Sequence, residues 1–241
     1  MQKAKITYLF HSGYAVETAS HLLIFDYYQP GSHTNGSLAN GIITSEYLKT
    51  KSNVFVFASH NHADHFDPII LKWEKANPAI TYILSSDIKL AAPPANCRFL
   101  SEHEDFKDDS VFIKAFGSTD QGVSFLVQTD GVTIFHAGDL NWWRWKGHNR
   151  KEQAAAEVAF KTVITAITGY SIDVAFFPVD RRLEEFFASG AEYFAAALQP
   201  KLLLPMHFGK DFGASKAFSK IAQKSLFLTV EITHKGQEII F

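Results

Sequence analysis

The segment Ser59-His60-Asn61-His62-Ala63-Asp64-His65-Phe66 places four potential metal ligands, His60, His62, Asp64 and His65, within six residues and directly after the apolar run Val54 to Ala58. Imidazoles two residues apart in a turn can converge on one ion while the next pair faces another. A solvated His-rich turn is the bland alternative, but the other eight of the 11 His are scattered along the chain, so this density is not a matter of composition. Nitrogen and oxygen donors of this kind suit one or two zinc ions, and manganese or iron is compatible with the same ligand types. The chemistry such a centre offers is hydrolysis, because a bound ion lowers the pKa of water towards neutrality and polarises the carbonyl or phosphoryl oxygen under attack. Asp64 is the candidate catalytic residue, orienting that water and moving its proton besides serving as a ligand.

The cluster needs a rigid mount. Val54 to Ala58 reads as a strand covered on both faces, and Pro68 suits the first turn of a helix reaching about Trp73, so the ligands sit between a strand and a helix. Upstream, Lys5 to Phe10, Tyr14 to Glu17 and His21 to Tyr28 read as short strands, followed by a Gly/Ser/Asn/Thr-rich loop from Gly31 to Gly41 that is a candidate wall of the site, and a short helix from Thr44 to Thr50. Further strands are expected at 80–84, 98–100, 111–116, 123–128, 132–136, 174–178 and 202–204, with helices at 152–168, 191–198 and 215–224. Leu226 to Val230 and Glu238 to Phe241 read as a closing strand pair around the Lys235-Gly236 turn. Strands crowding each half with helices between them predict an α/β arrangement, one domain over 1–241 built of two packed halves, with two sheets covered by helices.

Composition limits the partners. With 23 Lys and Arg against 25 Asp and Glu there is no broad positive field to hold a polyanion, which argues against nucleic acid and for a small-molecule substrate. The single cysteine, Cys97, provides neither a disulfide framework nor a thiolate metal site and suits a reducing cytoplasmic setting. No signal core is visible after Met1, and no apolar run approaches the roughly 20 residues that span a bilayer, so a soluble chain without membrane association is expected.

The full pattern His60, His62, Asp64 and His65 resembles the His-x-His-x-Asp-His hallmark of the metallo-β-lactamase superfamily. His11-Ser12-Gly13-Tyr14, Leu23-Ile24-Phe25-Asp26, Phe135-His136-Ala137-Gly138-Asp139 and Pro205-Met206-His207-Phe208 look like its branch of ascorbate-6-phosphate lactonase-like and phosphodiesterase-like hydrolases. The resemblance implies a four-layer αββα sandwich and a metal-dependent hydrolase of a small ester, lactone or phosphodiester. It further implies that Asp139 bridges two metals or binds the second, and that His207 completes the second site with Asp64 and His65.

One departure stands out. The family usually supplies a third first-site histidine where this chain has Phe116-Gly117-Ser118-Thr119-Asp120-Gln121-Gly122. His103 lies a strand's length away and reads as a surface residue, so Asp120 is either a replacement ligand or a turn residue capping Gln121-Gly122. Asn141 and Trp142, just after Asp139, are candidates for substrate binding, against an aromatic plug in the core. Arg181 is a third, a guanidinium able to hold a carboxylate or phosphate, against a surface salt bridge. Two further readings stay open: a metal-binding module that senses without turnover, and an iron-bound redox protein of the same fold.

Overall fold

Alternation explains why Val54 to Ala58 is apolar throughout. Phe55 and Phe57 point into one core, while Val54, Val56 and Ala58 point into another on the opposite face. The computed structural model, which describes residues 2–31, 36–225 and 227–241, repeats this division along the neighbouring strands. The first half contributes β1 (Lys5–Phe10), β2 (Gly13–Glu17), β3 (Leu22–Phe25), helix α1 (Ser45–Lys49), β4 (Val54–Ala58), β5 (Thr81–Ser85) and β6 (Cys97–Leu100). Then come β7 (Asp105–Lys107), β8 (Val111–Phe116), β9 (Ser124–Thr129), β10 (Val132–His136), helix α2 (Arg150–Ile167), β11 (Val174–Pro178), helix α3 (Ser189–Leu198), β12 (Leu202–Met206), helix α4 (Phe212–Ala222) and β13 (Glu238–Ile240).

The strands form a seven-stranded sheet in the order β13-β1-β2-β3-β4-β5-β6 and a six-stranded sheet in the order β12-β11-β10-β9-β8-β7. The aromatic-rich core, with Tyr14, Phe25, Phe57, Phe125 and Phe176, lies between them. The outer face of the first sheet is covered by α1 and a 3-10 segment (Pro68–Lys75), whose Leu48, Ile70 and Trp73 join the second core. Helices α2, α3 and α4 pack on the outer side of the other sheet, giving the four-layer αββα sandwich. Helix α2 buries Phe160, Val163, Ile164 and Ile167, spaced as one helical face, and starts at Arg150 because Asn149 and Glu152 form a reciprocal capping box.

Pairing is parallel from β3 through β6 and from β10 through β12, so the carboxyl ends of these strands share an edge of each sheet. Asp26 follows β3, His60 follows β4, Asp139 follows β10, Asp180 follows β11 and His207 follows β12. Such carboxyl ends are where open α/β sheets gather their ligands.

The chain end differs from the expected strand pair. Glu238–Ile240 pairs antiparallel with β1, whereas residues 227–230 form no strand and Leu228 O accepts one bond from Leu203 N. Gly236 donates its N–H to Tyr8 O, which directs the turn onto β1 instead of back on itself. Leu226, and residues 32–35 of the expected loop wall, lie outside the described residues. The Pro68 helix is a 3-10 segment extended to Lys75, β3 stops at Phe25 because Asp26 turns to φ 42, and β7 was not foreseen. No helix among the described residues is long and apolar enough to cross a membrane.

At the opposite edge the two sheets are clasped. Asp130 Oδ2, between β9 and β10, accepts from Thr18 Oγ1 (2.6 Å) and Ser20 N (2.8 Å), and lies 3.0 Å from His21 Nδ1. The second ring nitrogen of His21 sits 3.1 Å from Ser110 Oγ. Burial raises the Asp130 pKa, but these donors outweigh it and hold the carboxylate below its ordinary value. A depressed pKa gives stability that is present above the unfolded value and lost as pH falls through the folded one. Asp130→Asn, which keeps the φ of 49° that the turn requires, should therefore cost about 1 kcal/mol at neutral pH, with the gap from wild type narrowing below about pH 4. Urea unfolding across this pH range measures it.

Candidate metal centre

Among the described residues, six histidines and four carboxylates meet where the strand ends of the two sheets converge. Their roles can be read from the tautomer that each ring's neighbours impose. The Asp26 carboxylate lies 2.7 Å from His65 Nδ1, so that nitrogen carries the hydrogen and Nε2 presents its lone pair. Asp180 Oδ2 does the same for His207 Nδ1 at 3.1 Å. Ser59 Oγ donates to Asp26 Oδ2 (2.6 Å), which leaves it to accept from His60 Nδ1 at 3.0 Å and frees His60 Nε2. The three free lone pairs aim at one carboxylate. Asp139 Oδ1 is 3.2 Å from His65 Nε2 and 3.3 Å from His207 Nε2, and Asp139 Oδ2 is 3.4 Å from His60 Nε2.

Two ligand groups share this space. His60, His62 and Asp139 form one, with His62 Nδ1 3.0 Å from His60 Nε2; Asp64, His65 and His207 cluster in the other, against which Asp139 Oδ1 lies. The donor set fits a metal. His65 Nε2 and Asp139 Oδ1 are buried and have no hydrogen bond, an arrangement that buried polar atoms adopt at a cost unless a cation satisfies them. Burial opposes charging His65, yet Asp139 and Asp26 on its two edges outweigh it and lift the ring to about 10, so that a proton takes the place on Nε2 that a bound cation would occupy. Burial likewise pushes Asp139 up, and His65 and His207 pull it well below the carboxylate range. The centre is thus built to hold positive charge between Asp139 and the imidazoles.

His11, which the sequence alone leaves without a role, packs into the second group but plays a different part. Its Nδ1 accepts from the Gly209 N–H at 3.2 Å, so in the neutral ring the hydrogen sits on Nε2, 3.3 Å from Asp64 Oδ2. Burial lowers its pKa to about 4 against the pull of Asp64, which keeps the ring neutral. A nitrogen that carries hydrogen is a donor, so we separate His11 from the ligands and assign it to Asp64, whose pKa it depresses well below the ordinary range. The signal in the sequence was a histidine at the end of a buried strand, followed by Ser12-Gly13. His136 is also no ligand: Nε2 donates to Ser12 O (2.8 Å) and Nδ1 accepts from Gly138 N (3.2 Å).

The loop that lacks the usual histidine is pinned by close backbone approach. Gly122, at φ +69, would place a Cβ 2.0 Å from Ser59 O, and Gly138, at φ +53, would place one 2.7 Å from Ser59 Cβ. Val123 N donates to the same Ser59 O at 2.9 Å. This anchoring sets Asp120 exposed on the rim of a cavity of about 500 Å³, outside both candidate groups, so the first group has three candidate ligands among the described residues. His103 is exposed and distant from both groups, as a surface residue.

The cavity is lined by His62, Asp64, Asp139, His207, Trp143, Trp145 and Arg182, among others. The expected substrate residues lie elsewhere. Asn141 is buried, with Oδ1 accepting from Trp142 N and its N–H bonded to Thr119 Oγ1. Trp142 packs on Phe160 and Tyr193 of the helical layer, with Arg144 and Lys161 against its ring. Arg181 donates to Gly213 O and faces Asp211, on a smaller cavity beyond His207. The odd-numbered neighbours Trp143 and Trp145 face the centre instead: Trp143 N bonds to Asn141 O and Arg144 N to Trp142 O, successive tight turns that set Trp142 and Arg144 on one side and Trp143 on the other.

A family model described as the beta-lactamase superfamily domain matches residues 5–207. The chain belongs to the beta-lactamase superfamily. Comparison with curated proteins gives no match. Among solved structures, the chain is similar to the metallo hydrolase Igni18 of the hyperthermophilic archaeon Ignicoccus hospitalis KIN4/I, at 18% identity and a TM-score of 0.66 over 99% of this chain and 98% of that one. The metallo-beta-lactamase fold protein YhfI of Bacillus subtilis is similar at 14% identity and TM-score 0.61, covering 100% of both chains. CmlA, a diiron beta-hydroxylase of Streptomyces venezuelae, gives 12% identity and TM-score 0.61 over 100% of this chain but 54% of its own. At these identities the likeness is one of superfamily fold.

The tautomer assignments make a prediction about metal content. His65→Ala and Asp139→Ala should each lose bound metal, and Asp26→Ala should weaken binding by about 10- to 100-fold through loss of the His65 orienter. His11→Ala should keep the wild-type metal stoichiometry. Elemental analysis with a competing chelator decides it, and a His11→Ala protein stripped of metal would place His11 among the ligands.

Proposed function

We propose that this chain is a metal-dependent hydrolase acting on a small ester, lactone or phosphodiester. The observation that carries the reading is Asp139, whose two oxygens face different ligand groups at the floor of an open cavity. A cavity of about 500 Å³ is of the size that encloses small molecules, in line with the small-molecule substrate and against a nucleic acid. Zinc is the proposed metal, with manganese or iron compatible with the same donors. The cytoplasmic setting rests on the single Cys97.

When bound, divalent ions at His60, His62, Asp64, His65, Asp139 and His207 would supply a nucleophilic water at neutral pH and polarise the attacked oxygen. The chain's own groups account for the rest. Asp64, half exposed and held ionised by His11 Nε2 at Oδ2, can orient the attacking water through its other oxygen and relay its proton to the leaving oxygen. Asp26 and Asp180 fix the rings of His65 and His207 so that their lone pairs stay directed inward. Trp143, through Nε1 to Asp139 O at 3.1 Å, ties the cavity wall to the residue that both groups share. A first group of three candidate ligands would leave an ion held there a position for water, which suits turnover better than a closed structural site and disfavours an inert sensing module.

Purified protein supplied with zinc, manganese or iron should hydrolyse at least one of a lactone, an aryl ester and bis(p-nitrophenyl) phosphate. Asp64→Asn should lower kcat by at least about 100-fold, the usual contribution of a positioned acid-base group. Full activity in that variant removes Asp64 from proton transfer, and silence with every metal and substrate pair leaves the non-catalytic module.

A further inference from the structure

Among the described residues, Arg182 is the one Lys or Arg that lines both cavities beside the candidate metal centre: the larger with Trp143, Trp145 and His207, and a smaller one of about 270 Å³ with His11, Asp64 and His207. Its side chain is 64% exposed although it is tied to buried Asp180. The tie uses one edge of the guanidinium. Nε donates to Asp180 Oδ1 (3.0 Å) and Oδ2 (2.8 Å), and Nη2 donates to Oδ2, which leaves both hydrogens of Nη1 and one of Nη2 without a partner in that pair. The same Asp180 Oδ2 sits against His207 Nδ1, so its charge is shared between the ring and the guanidinium. The fork is thus held in one orientation by a fixed carboxylate while its outer edge remains available.

An apolar wall stands beside it. The rings of Trp143 and Trp145 are parallel to within 6° with centroids 5.9 Å apart, and the Arg182 guanidinium lies 5.8 Å from the Trp145 ring. Trp143 also meets His207 edge-on at 5.6 Å, so the wall runs directly from the metal ligands to the arginine. A cation fixed by a buried acid, next to paired indoles, is suited to an oxyanion carried on a planar body.

We propose that the larger cavity binds substrates bearing a carboxylate or phosphate, with the oxyanion on the outer edge of Arg182 and a planar or apolar body against Trp143 and Trp145. Only the turnover of the bound molecule rests on the hydrolase reading; its capture does not. Anion recognition falls to Arg182 and the aromatic contact to Trp143 and Trp145, in place of Arg181 and Trp142.

Calorimetric titration of the metal-loaded protein with phenylphosphonate and methylphosphonate, whose P–C bond resists hydrolysis, tests it. The phenyl compound should bind at least about tenfold more tightly than the methyl one, and Arg182→Gln should weaken phenylphosphonate by about tenfold or more at unchanged metal content. Trp145→Leu, which leaves the Arg182 to Asp180 pair intact, should abolish most of the phenyl preference while methylphosphonate binds as before. Wild-type affinity of Arg182→Gln for phenylphosphonate overturns the proposal, since the metal alone would then hold the anion. Equal affinity of wild type and Trp145→Leu for the phenyl compound overturns it as well. Arg182-dependent binding without turnover of any ester would keep the subsite and remove the hydrolase reading, whereas turnover of neutral lactones unaltered in an Arg182→Gln protein that binds phenylphosphonate normally would do the reverse.

Discussion

The carboxylate of Asp139 is the point on which the two sheets have to agree. It leaves β10 of the six-stranded sheet and faces His60 and His65, which follow β4 of the seven-stranded one, while His207 approaches from β12. A charge buried at 4% exposure is tolerable only among partners, and here the partners come from both sheets. The aromatic core between the sheets sets their separation, and that separation sets the distances at Asp139. Core packing and site geometry are therefore one constraint, since close-packed interiors transmit small displacements.

Around that point, hydrogen bonds decide which histidine does what. Asp26 serves His65 and Ser59 together, Ser59 passes the influence to His60, and Asp180 serves His207 and Arg182. Each of these three candidate ligand rings is oriented by an acceptor behind it, and His11 is marked out by the opposite arrangement, a backbone N–H behind it. Proximity alone groups His11 with the ligands, and the direction of one hydrogen bond separates it from them.

The cluster at residues 60–65 was legible because its members are close in sequence and its strand is covered on both faces. Asp139 and His207 were legible only through resemblance, since nothing local distinguishes a carboxylate or histidine after a strand from a turn residue. Asp26, Asp180 and His11 stood in recognisable stretches but without roles, because their roles depend on which ring nitrogen lies opposite, a tertiary matter. Among the tryptophans after Asp139, two line the cavity and only the choice of Trp142 did not hold. Which of these neighbours meets the cavity is set by the tight backbone turns at Trp143 and Arg144, which the sequence does not reveal, and Trp142 took the core side. Of the strand expected at residues 226–230, the described residues 227–230 form none, because β1 offered an edge that β13 occupies.

The clasp of Thr18, Ser20 and His21 on Asp130 lies at the end of the sandwich remote from the ligands. With the sheets joined there, and drawn together at the other end around Asp139, neither end is free to splay. A sandwich closed at both ends cannot widen its mouth by letting the layers breathe. Adjustment to differently shaped molecules falls to the stretches that border the opening without belonging to either sheet, those around Asp120 and from Trp143 to His148. Divergence in what such proteins accept can then proceed by rewriting these borders, while the closed frame keeps the reacting groups in register.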